Sequence, residues 1–472
     1  MNRSKYLFNN TLVLFVSNFS SKILIFFLLP LYTSILTTAE YGLSDLISTT
    51  VNILYIAVAF YIGSGVLRFT MDKANNKSEI LSIGVIVTMC STIVIGLFLA
   101  LANCFNLIPS MNSFYGYMLF IYFVYCVHTV LSAYTKGCEK ILLIGIAGIV
   151  STLACIGSNV LLLLVVKMGI RGYLLSRIIM YLAGCAVYVI GGVLKDYHFV
   201  IPRRSVVQEV LKYSIPIAAT ELGWLICTSS DKYLVSFMLG PEATGLISAA
   251  HRLPTILSAF TSIFIQAWQL SAIKEYGSKD NTQYYSSMYD IYTSFAVILG
   301  STLILFSRLI GSFLYRGEFA SAWTYTPIYI SALVVNTTSS FTGSIIAASK
   351  KTKYLFTSTM VGAVINLILD VLLIKMAGIY GAGIATLVSY FVISSMRMNA
   401  IQKEHPIETN YIKVFISYVL MLVLSCIVII RTAPILLVIV GNLYIVLLVI
   451  NRKQLLQMMQ MVKNVTNTVL KK

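Results

Sequence analysis

Four basic side chains lie inside stretches of sequence that are otherwise apolar: Lys22, Arg177, Lys232 and Arg252. A charge at the centre of a lipid bilayer costs about 2.5–3.5 kcal/mol on insertion scales, so such a side chain should face a partner or a water-filled cavity. Arg offers a planar fork of hydrogen-bond donors and Lys a compact charge, and both complement anions. The pattern predicts a basic cavity inside a membrane protein.

Polar residues recur at helical spacing around these charges. Asn18 lies one helical turn before Lys22. On a later segment, Gln266 lies within about 40° of Arg252 when the residues are projected at 100° each. The candidate lining residues of the cavity are Asn18, Lys22, Asp45, Arg68, Glu221, Trp224, Lys232, Arg252 and Gln266.

Each of these charges also has a plainer interpretation. Lys22 is equally well explained by a structural ion pair with Asp45 or Glu221. Arg68 has the position of an ordinary cytoplasmic anchor. Arg177 is interpreted as a side chain that extends along its helix toward the membrane surface.

The acids inside apolar segments are few. Asp231 directly precedes Lys232, so one of the two side chains should point away from the cavity. Asp370 stands alone in its segment, and one hypothesis is that it binds H⁺ or Na⁺.

The composition excludes a water-soluble protein. Of the 472 residues, 58% are hydrophobic and 11% are charged, against roughly 25% charged in an ordinary globular domain. The mean hydropathy is +0.86. With about 20 residues for each membrane-spanning helix, the length accommodates about 14 helices joined by connections of about 13 residues. An inserted soluble domain is therefore not expected.

Several chemistries find no support in the sequence. The four histidines are far apart and form no HExxH pattern, and the eight cysteines occur singly. A zinc site and a disulfide framework are therefore not expected. A DxD pattern for nucleotide sugars is also missing, as is a long loop to present catalytic residues. We predict that the protein is not an enzyme and needs no cofactor.

The expected fold class is an all-α integral membrane protein with about 14 transmembrane helices. The predicted helices cover about 11–34, 43–67, 80–103, 115–134, 141–166, 172–194, 213–239, 245–271, 287–311, 323–348, 353–376, 380–402, 411–430 and 433–451.

Positive charge predicts the orientation. Lys and Arg number 34 against 17 Asp and Glu, a formal net charge of +17. With the amino terminus in the cytoplasm, about four basic loop residues fall on the cytoplasmic side for each one on the opposite side. This count includes Arg397 as a cytoplasmic residue. Both termini are therefore predicted to be cytoplasmic.

The two halves of the chain resemble each other. Residues 36–43 match 239–246 in Leu, Gly and Leu, and the pattern from Asn159 to Gly172 is similar to that from Asn366 to Gly381. We predict two pseudo-symmetric six-helix bundles around a central cavity, related by an axis along the membrane normal. The predicted regions are a first bundle at 1–195, a cytoplasmic linker at 196–212, a second bundle at 213–402, two extra helices at 411–451 and a basic amphipathic cytoplasmic tail at 452–472.

Three segments carry a family resemblance: Phe26 to Leu43, with its Ala-Glu-Tyr-Gly-Leu end, Ala249 to Pro254, and Gly378 to Thr386. They resemble the polysaccharide (O-antigen type) flippases of the multidrug/oligosaccharidyl-lipid/polysaccharide exporter superfamily. The resemblance implies movement of an undecaprenyl-diphosphate-linked oligosaccharide from the cytoplasmic to the outer leaflet by alternating access. The basic cavity would then hold the diphosphate, Trp224, Trp268 and Tyr61 would stack on sugars, and the two last helices would form a groove for the lipid tail.

The resemblance also sets the expected surroundings. These are the bacterial cytoplasmic (inner) membrane, the lipid bilayer and an anionic polyprenyl-linked oligosaccharide, with polysaccharide assembly proteins as a further class of partner and no nucleic acid. The coupling ion, H⁺ or Na⁺, stays open. Two alternatives are a cation-coupled multidrug antiporter of the same superfamily and a membrane polysaccharide polymerase or glycosyltransferase.

Overall fold

The computed structural model describes residues 26–72, 75–275, 281–349, 351–402, 406–430 and 434–470, and these contain helices and no strand. The first half of the chain contains α1 (Leu29–Ile35), α2 (Thr38–Val58), α3 (Ile62–Thr70), α4 (Lys77–Cys104), α5 (Tyr115–Gly137), α6 (Ile141–Asn159) with a π-helical turn at Val160–Val165, and α7 (Gly169–Ile190). The later helices are α8 (Arg204–Leu239), α9 (Pro241–Ala250), α10 (Arg252–Glu275), α11 (Asn281–Leu305), α12 (Ser307–Leu314), α13 (Ala322–Ala348), α14 (Thr352–Ala377), α15 (Ile379–Gln402), α16 (Tyr411–Ile430) and α17 (Pro434–Leu470).

The helices make the chain a multi-pass membrane protein. Within the described residues, 11 helices are long and apolar enough to cross a membrane, or 12 if the bent helix α8 counts as one span. Predicted helices from the second to the last each overlap a helix of the structure. Most of the first predicted helix lies outside the described residues, so the total of 14 stays a prediction.

Internal packing divides the chain into two compact units, Met1–Ile226 and Cys227–Lys472, here the first and second units. The division lies inside α8, beyond the linker predicted at 196–212. Near the other end of the chain, residues 452–470 continue α17 without a break. The basic tail is therefore an extension of the last helix as far as Leu470.

Helix α5 is central to the first unit and α13 to the second. Helix α5 packs against α2, α3, α4, α6 and α7, and α13 packs against α10, α11, α15 and α16. In the most apolar stretch of the segment that contains α13, 83% of the residues are buried, compared with 28% in the most apolar stretch of α4. The outer face of α4 carries Ile93, Leu97 and Leu101 at four-residue intervals, each more than half exposed, as expected of a surface in contact with lipid.

The chain signals where several helices begin. Thr37 and Glu40 cap α2 reciprocally: the Glu40 N–H donates to Thr37 Oγ1 at 3.1 Å and the Thr37 N–H donates to Glu40 Oε2 at 3.0 Å. At the matching position of the second unit, Gly240 adopts a positive φ of 94° and Pro241 starts α9.

The second predicted helix, 43–67, is interrupted. Phe60 and Tyr61 adopt left-handed φ values of 53° and 50°, which separate α2 from α3. The Gly63 N–H donates to the Tyr55 hydroxyl at 3.0 Å, so a side chain supplies a hydrogen bond where the backbone ladder is broken. The prediction of a continuous helix was wrong here because the deciding acceptor is a side chain eight residues upstream.

Two more predicted helices are interrupted. The helix expected at 245–271 breaks at His251, and the one expected at 287–311 breaks at Phe306. The first break has a simple cause, because Pro254 has no N–H to donate to the carbonyl of Ala250. The break gives the side chain of His251 a position between two helix ends, where it contributes to the site described below.

A local match between the two units follows the predicted repeat. Gly169, the first residue of α7, and Gly378, directly before α15, both adopt positive φ, 55° and 58°. Three residues later, a Cβ atom on Gly172 would lie 3.1 Å from the carbonyl oxygen of Leu162, and one on Gly381 would lie 2.0 Å from that of Leu373. Both glycines therefore allow a helix to approach the end of the preceding helix.

The connection before α8 is fastened to the start of α4. The Arg203 side chain and backbone N–H both donate to Glu79, with the ion pair at 2.9 Å and the backbone bond at 2.8 Å. The Ser82 hydroxyl accepts the Val200 N–H at 3.1 Å and lies 3.3 Å from the Tyr197 hydroxyl. The segment around Arg203 is thus part of the first unit's packing.

Arg397 is buried, in contrast to the exposed cytoplasmic position that the charge pattern predicts for it. It is 8% exposed and donates to Ser339 on α13 at 3.0 Å and to Ser358 and Thr359 on α14 at 3.1 and 3.0 Å. Gly343 gives it room, since a Cβ there would lie 2.9 Å from the guanidinium. Arg397 therefore joins three helices of the second unit.

Replacing Arg397 by Met should lower the free energy of unfolding by about 2 kcal/mol, because it leaves the buried acceptors without a charged donor. Unfolding of the detergent-purified protein in sodium dodecyl sulfate measures the change. Arg308→Met is the matched control, since Arg308 is exposed and rests on the Trp323 ring at 5.6 Å. Equal stability of the two variants would contradict the assigned role.

Candidate functional site

Two buried acids of the second unit lie close to each other. Asp231 on α8 is 3% exposed and Asp370 on α14 is fully buried. The two carboxylates are near enough to interact electrostatically. Because two negative charges in an apolar interior repel, the pair needs a cation or a proton to be stable.

Asp370 is short of hydrogen-bond donors. Ser230, which is within reach of it, donates instead to Asn366 Oδ1 at 2.9 Å. Among the described residues, neither oxygen of Asp370 has a hydrogen-bond donor, and Asn366 Nδ2 also lacks a partner. Asn366 precedes Asp370 by one helical turn on α14, so both side chains lie on the same face.

Asp231 has partners on two sides. Its Oδ1 accepts the backbone N–H of Lys232 at 2.8 Å, and its Oδ2 lies 3.5 Å from His251 Nε2. The His251 ring packs edge-on against Tyr329, with 4.1 Å between the ring centroids. The helix break at His251 is what brings this imidazole to the acid.

The cluster has the chemistry of a proton or monovalent cation site. Carboxylate and amide oxygens are hard ligands, which suit Na⁺ and H⁺. Among the described residues, no three His, Cys, Asp or Glu side chains converge in a way that would hold a metal ion. Asp231, Asp370 and His251 are therefore not a three-ligand site of the zinc type.

The candidate residues of the first unit occupy different environments. Asp45 is buried at 6% exposure, Glu221 and Trp224 are half-buried, and Arg68 is exposed in the last turn of α3. Glu221 and Tyr61 are near enough to interact electrostatically. Asn18 and Lys22 lie outside the described residues, so their cavity role stays a prediction.

The candidate residues of the second unit lie along α8 and α10. Lys232 and Arg252 are half-buried. Lys232 directly follows Asp231 and Arg252 directly follows His251, two members of the cluster formed by Asp231, Asp370 and His251. Arg252 is close enough to Tyr315 to interact with it electrostatically. Gln266 is exposed, fourteen residues further along α10.

Trp268 is a core residue, which corrects its predicted role as a stacking surface for sugars. Its ring stacks on Phe341 with centroids 4.2 Å apart and an angle of 12°. Its indole N–H donates to the Phe341 carbonyl at 3.2 Å, and the residue is 3% exposed. A sugar ring therefore has no access to it.

The acid cluster was only partly visible in the sequence. In the sequence, Asp370 stands out as a lone acid, but Asp231 is recognisable only as the neighbour of Lys232. The pairing signal was present in the spacing Asn366-x-x-x-Asp370, one turn of helix inside the repeated pattern. The partner on α8 is 139 positions away in sequence numbering from Asp370, and only the tertiary structure brings it there.

Solved structures with the same fold are transporters and flippases. The structure described as "Lipid II flippase MurJ, inward closed conformation" matches with a TM-score of 0.71 at 15% identity, covering 94% of this chain and 100% of that one. An inward-facing multidrug resistance MATE family transporter of the MOP superfamily matches with a TM-score of 0.66 at 13% identity, covering 82% and 95%. A MOP superfamily transporter from Pyrococcus furiosus matches with a TM-score of 0.58 at 14% identity, covering 84% and 96%.

These structural matches give the chain the fold of the MOP superfamily. No curated protein matches the sequence. The family model for polysaccharide biosynthesis proteins matches residues 7–269, more than half of the chain. The family resemblance seen in the sequence is thereby confirmed, and the chain belongs to the polysaccharide biosynthesis protein family.

Proposed function

We propose that the protein is a flippase that moves an undecaprenyl-diphosphate-linked oligosaccharide repeat unit from the cytoplasmic to the outer leaflet of the bacterial cytoplasmic membrane. One observation carries the proposal: a chain of the polysaccharide biosynthesis family has a fold that matches a lipid II flippase over 94% of its length. Membership of this family supports a role in making polysaccharide, and the likeness to a flippase supports movement of a lipid-linked substrate between leaflets.

The proposed architecture is the one that the sequence predicts. Fourteen helices form bundles at 1–195 and 213–402 around a central cavity, with both termini in the cytoplasm and two extra helices at 411–451. The glycine turns at Gly169 and Gly378 support the repeat on which this arrangement rests. Alternating access then consists of rocking one bundle against the other.

The anionic part of the substrate is proposed to bind in the basic cavity. Lys22 and Arg252 are the expected phosphate ligands, with the other candidate residues completing the polar lining. The half-buried position of Arg252, at the start of α10 beside His251, supports this role because the side chain is neither sealed in the core nor free at the surface. Residues that hold a charged group must remain reachable by it.

The lipid tail is proposed to enter a cavity of about 470 Å³ in the second unit. Helices α11, α13, α15 and α16 form it, so one of the two extra helices contributes a wall, as the predicted groove requires. Phe391 and Phe415 are at least half exposed, while Ser394 and Asn399 add polar groups to the lining. An apolar chain with a polar head would find both kinds of contact there.

The Asp231–Asp370 cluster is proposed to bind the coupling ion, H⁺ or Na⁺. A monovalent cation there would balance one of the two negative charges and relieve their repulsion, and its release would leave both carboxylates repelling. The site therefore has an ion-bound and an ion-free state of different stability. An ion gradient can use this difference to drive a conformational cycle.

Deleting the gene should abolish the cell-surface polysaccharide that depends on this protein and should cause its lipid-linked repeat units to accumulate in the membrane. Extraction of glycolipids and analysis of surface polymer in deleted and complemented strains measure both. Normal surface polymer in the deletion strain would falsify the proposal. Complementation with the wild-type gene controls for effects on neighbouring genes.

A multidrug antiporter is the second candidate, favoured by the buried acid cluster and by the likeness to MATE family transporters. Cationic drugs bind to carboxylates, and an antiporter exchanges them for H⁺ or Na⁺. A strain that expresses the protein would then tolerate cationic drugs better than one that carries an Asp370→Asn variant. Equal susceptibility, together with loss of surface polymer on deletion, would eliminate this candidate.

A further inference from the structure

A half-buried arginine of the first unit is held by tyrosines. Arg177 lies in α7 with Tyr173 one turn before it and Tyr181 one turn after it. Its Nη2 donates to the Tyr173 hydroxyl at 3.3 Å, and its guanidinium carbon lies 5.6 Å from the centre of the Tyr173 ring. Tyr181 is near enough to interact with the guanidinium electrostatically. Neutral phenols orient the charge without cancelling it.

The first unit has no carboxylate paired with this charge. Among its described residues, no Asp or Glu lies within ion-pair distance of Arg177, and the groups that interact with it electrostatically include Tyr32, Tyr173, Tyr181 and Cys155. The rest of the unit, residues 1–25 and 73–74, contains no Asp or Glu in its sequence. Its positive charge is therefore not balanced within its own unit.

The simple explanation, extension to the membrane surface, does not fit this geometry. Arg177 is eight residues from the start of α7, which is about 12 Å at 1.5 Å per residue. Its guanidinium is instead beside Tyr173, a side chain that is 2% exposed. A cation at this depth is costly unless an anion or water reaches it, so the arrangement favours a ligand-binding role.

Side chains suited to contact with a sugar lie next to Arg177 and its tyrosines. Tyr181 packs against Tyr125 with ring centroids 5.3 Å apart. The Tyr125 hydroxyl donates to Asn52 Oδ1 at 3.1 Å, and all three side chains are half-buried. Aromatic faces pack against the apolar faces of sugar rings, and an amide with a remaining N–H can bind a sugar hydroxyl.

The repeat adds an independent argument. Arg177 follows Gly172 by five residues, as Thr386 follows Gly381 in the second unit. The two positions are equivalent in the repeat, yet the first carries a cation and the second a neutral hydroxyl. The repeated fold therefore does not itself require an arginine at this position.

We propose that Arg177, oriented by Tyr173 and Tyr181, binds an oxyanion of the transported substrate, with Tyr125 and Asn52 contacting the adjoining sugar. The oxyanion is a phosphate of the diphosphate or a carboxylate of an acidic sugar. This assignment rests on the proposed function, because it takes its ligand from the lipid-linked oligosaccharide. It adds a substrate-binding residue that is separate from Lys22 and Arg252.

The test is direct binding to the purified full-length protein in lipid nanodiscs, measured by calorimetry. Farnesyl diphosphate probes the phosphate and trigalacturonic acid probes the carboxylate. Arg177→Gln should weaken one or both probes by about tenfold to a hundredfold, the range expected for loss of a charged hydrogen bond. Arg177→Lys keeps the charge but loses the planar pair of donors, so its affinity for the probes should lie between that of Arg177→Gln and that of the wild type. Arg308→Gln is the matched control, since Arg308 also rests on an aromatic ring at 5.6 Å but is exposed.

The probe that responds identifies the source of the oxyanion. Weakening of farnesyl diphosphate alone assigns the phosphate, weakening of trigalacturonic acid alone assigns the sugar carboxylate, and weakening of both supports a general oxyanion site. Affinities equal to wild type for both probes overturn the proposal. If Arg177→Gln is not monodisperse on size exclusion, Arg177→Lys and Tyr181→Phe decide instead: unchanged affinities in both overturn it.

The outcome is separable from that of the proposed function. Normal surface polymer in the deletion strain would remove the flippase proposal while leaving the binding results unaffected. Conversely, full complementation by Arg177→Gln in a strain that does need the protein would overturn only the role of Arg177.

Discussion

Replacing Asp370 by Asn is expected to reduce export of surface polysaccharide at least about tenfold while the protein still inserts and folds. The substitution preserves size but removes the charge, so the Asp231–Asp370 pair no longer needs a cation and no longer responds to its gradient. A single tenfold change corresponds to about 1.4 kcal/mol, less than a buried carboxylate–cation contact supplies. Polymer recovered from deletion strains that carry each variant measures the effect.

Ion binding gives a second measure of the same prediction. If Na⁺ is the coupling ion, saturating Na⁺ should stabilise the wild-type protein by about 2.7 kcal/mol at one hundred times its dissociation constant, and Asp370→Asn should lose this gain. If H⁺ is the coupling ion, a protonophore should stop export and Na⁺ should have no effect.

Asp290→Asn controls for the loss of an acid as such. Asp290 is a half-buried acid of the same unit that accepts a hydrogen bond from Thr409, away from the cluster. Export by Asp370→Asn equal to that by Asp290→Asn would contradict the coupling role.

Replacing Gly381 by Ala is expected to destabilise the second unit by about 3 kcal/mol or more, so that little folded protein accumulates. The added Cβ would lie 2.0 Å from the carbonyl oxygen of Leu373 and 2.7 Å from the backbone nitrogen of Ile374. These are backbone atoms, so relief requires α14 and α15 to separate. Yield and monodispersity of a fluorescent fusion protein measure the outcome.

Gly172→Ala is the natural control because it occupies the matching position of the first unit. There the added Cβ would be 3.1 Å from the Leu162 carbonyl oxygen, a contact that small shifts can relieve. We expect a much smaller loss of folded protein than for Gly381→Ala. The reverse order of the two variants would show that helix contact at these glycines does not control stability.

The helices were predictable because apolar length alone determines them in a membrane. Long uncharged segments must form hydrogen bonds internally, so α4 and α16 follow from composition. The breaks at Tyr61 and His251 were not predictable from hydropathy. The first depends on the Tyr55 hydroxyl reaching Gly63, and the second on where a missing N–H at Pro254 falls within its helix.

Site residues were predictable as types and not as partners. A charge in an apolar segment is visible in the sequence, as Asp370 and Arg177 are. Their surroundings were not visible, because Asp231 is far away in the chain and the tyrosines around Arg177 look like packing residues. The surroundings of Trp268 were not visible in the sequence either. Its aromatic side chain is suited to stack on a sugar, but Phe341 covers it.

The ion pair and hydrogen bonds between Glu79 and Arg203 can form early in biosynthesis. All partners of Glu79 and Ser82 around residues 197–203 belong to the first unit, so these contacts can form before the ribosome has made the second. Domains generally fold as units during synthesis, with the amino-terminal one first. The nascent chain can therefore fasten the segment before α8 to the start of α4 before the second unit is synthesised.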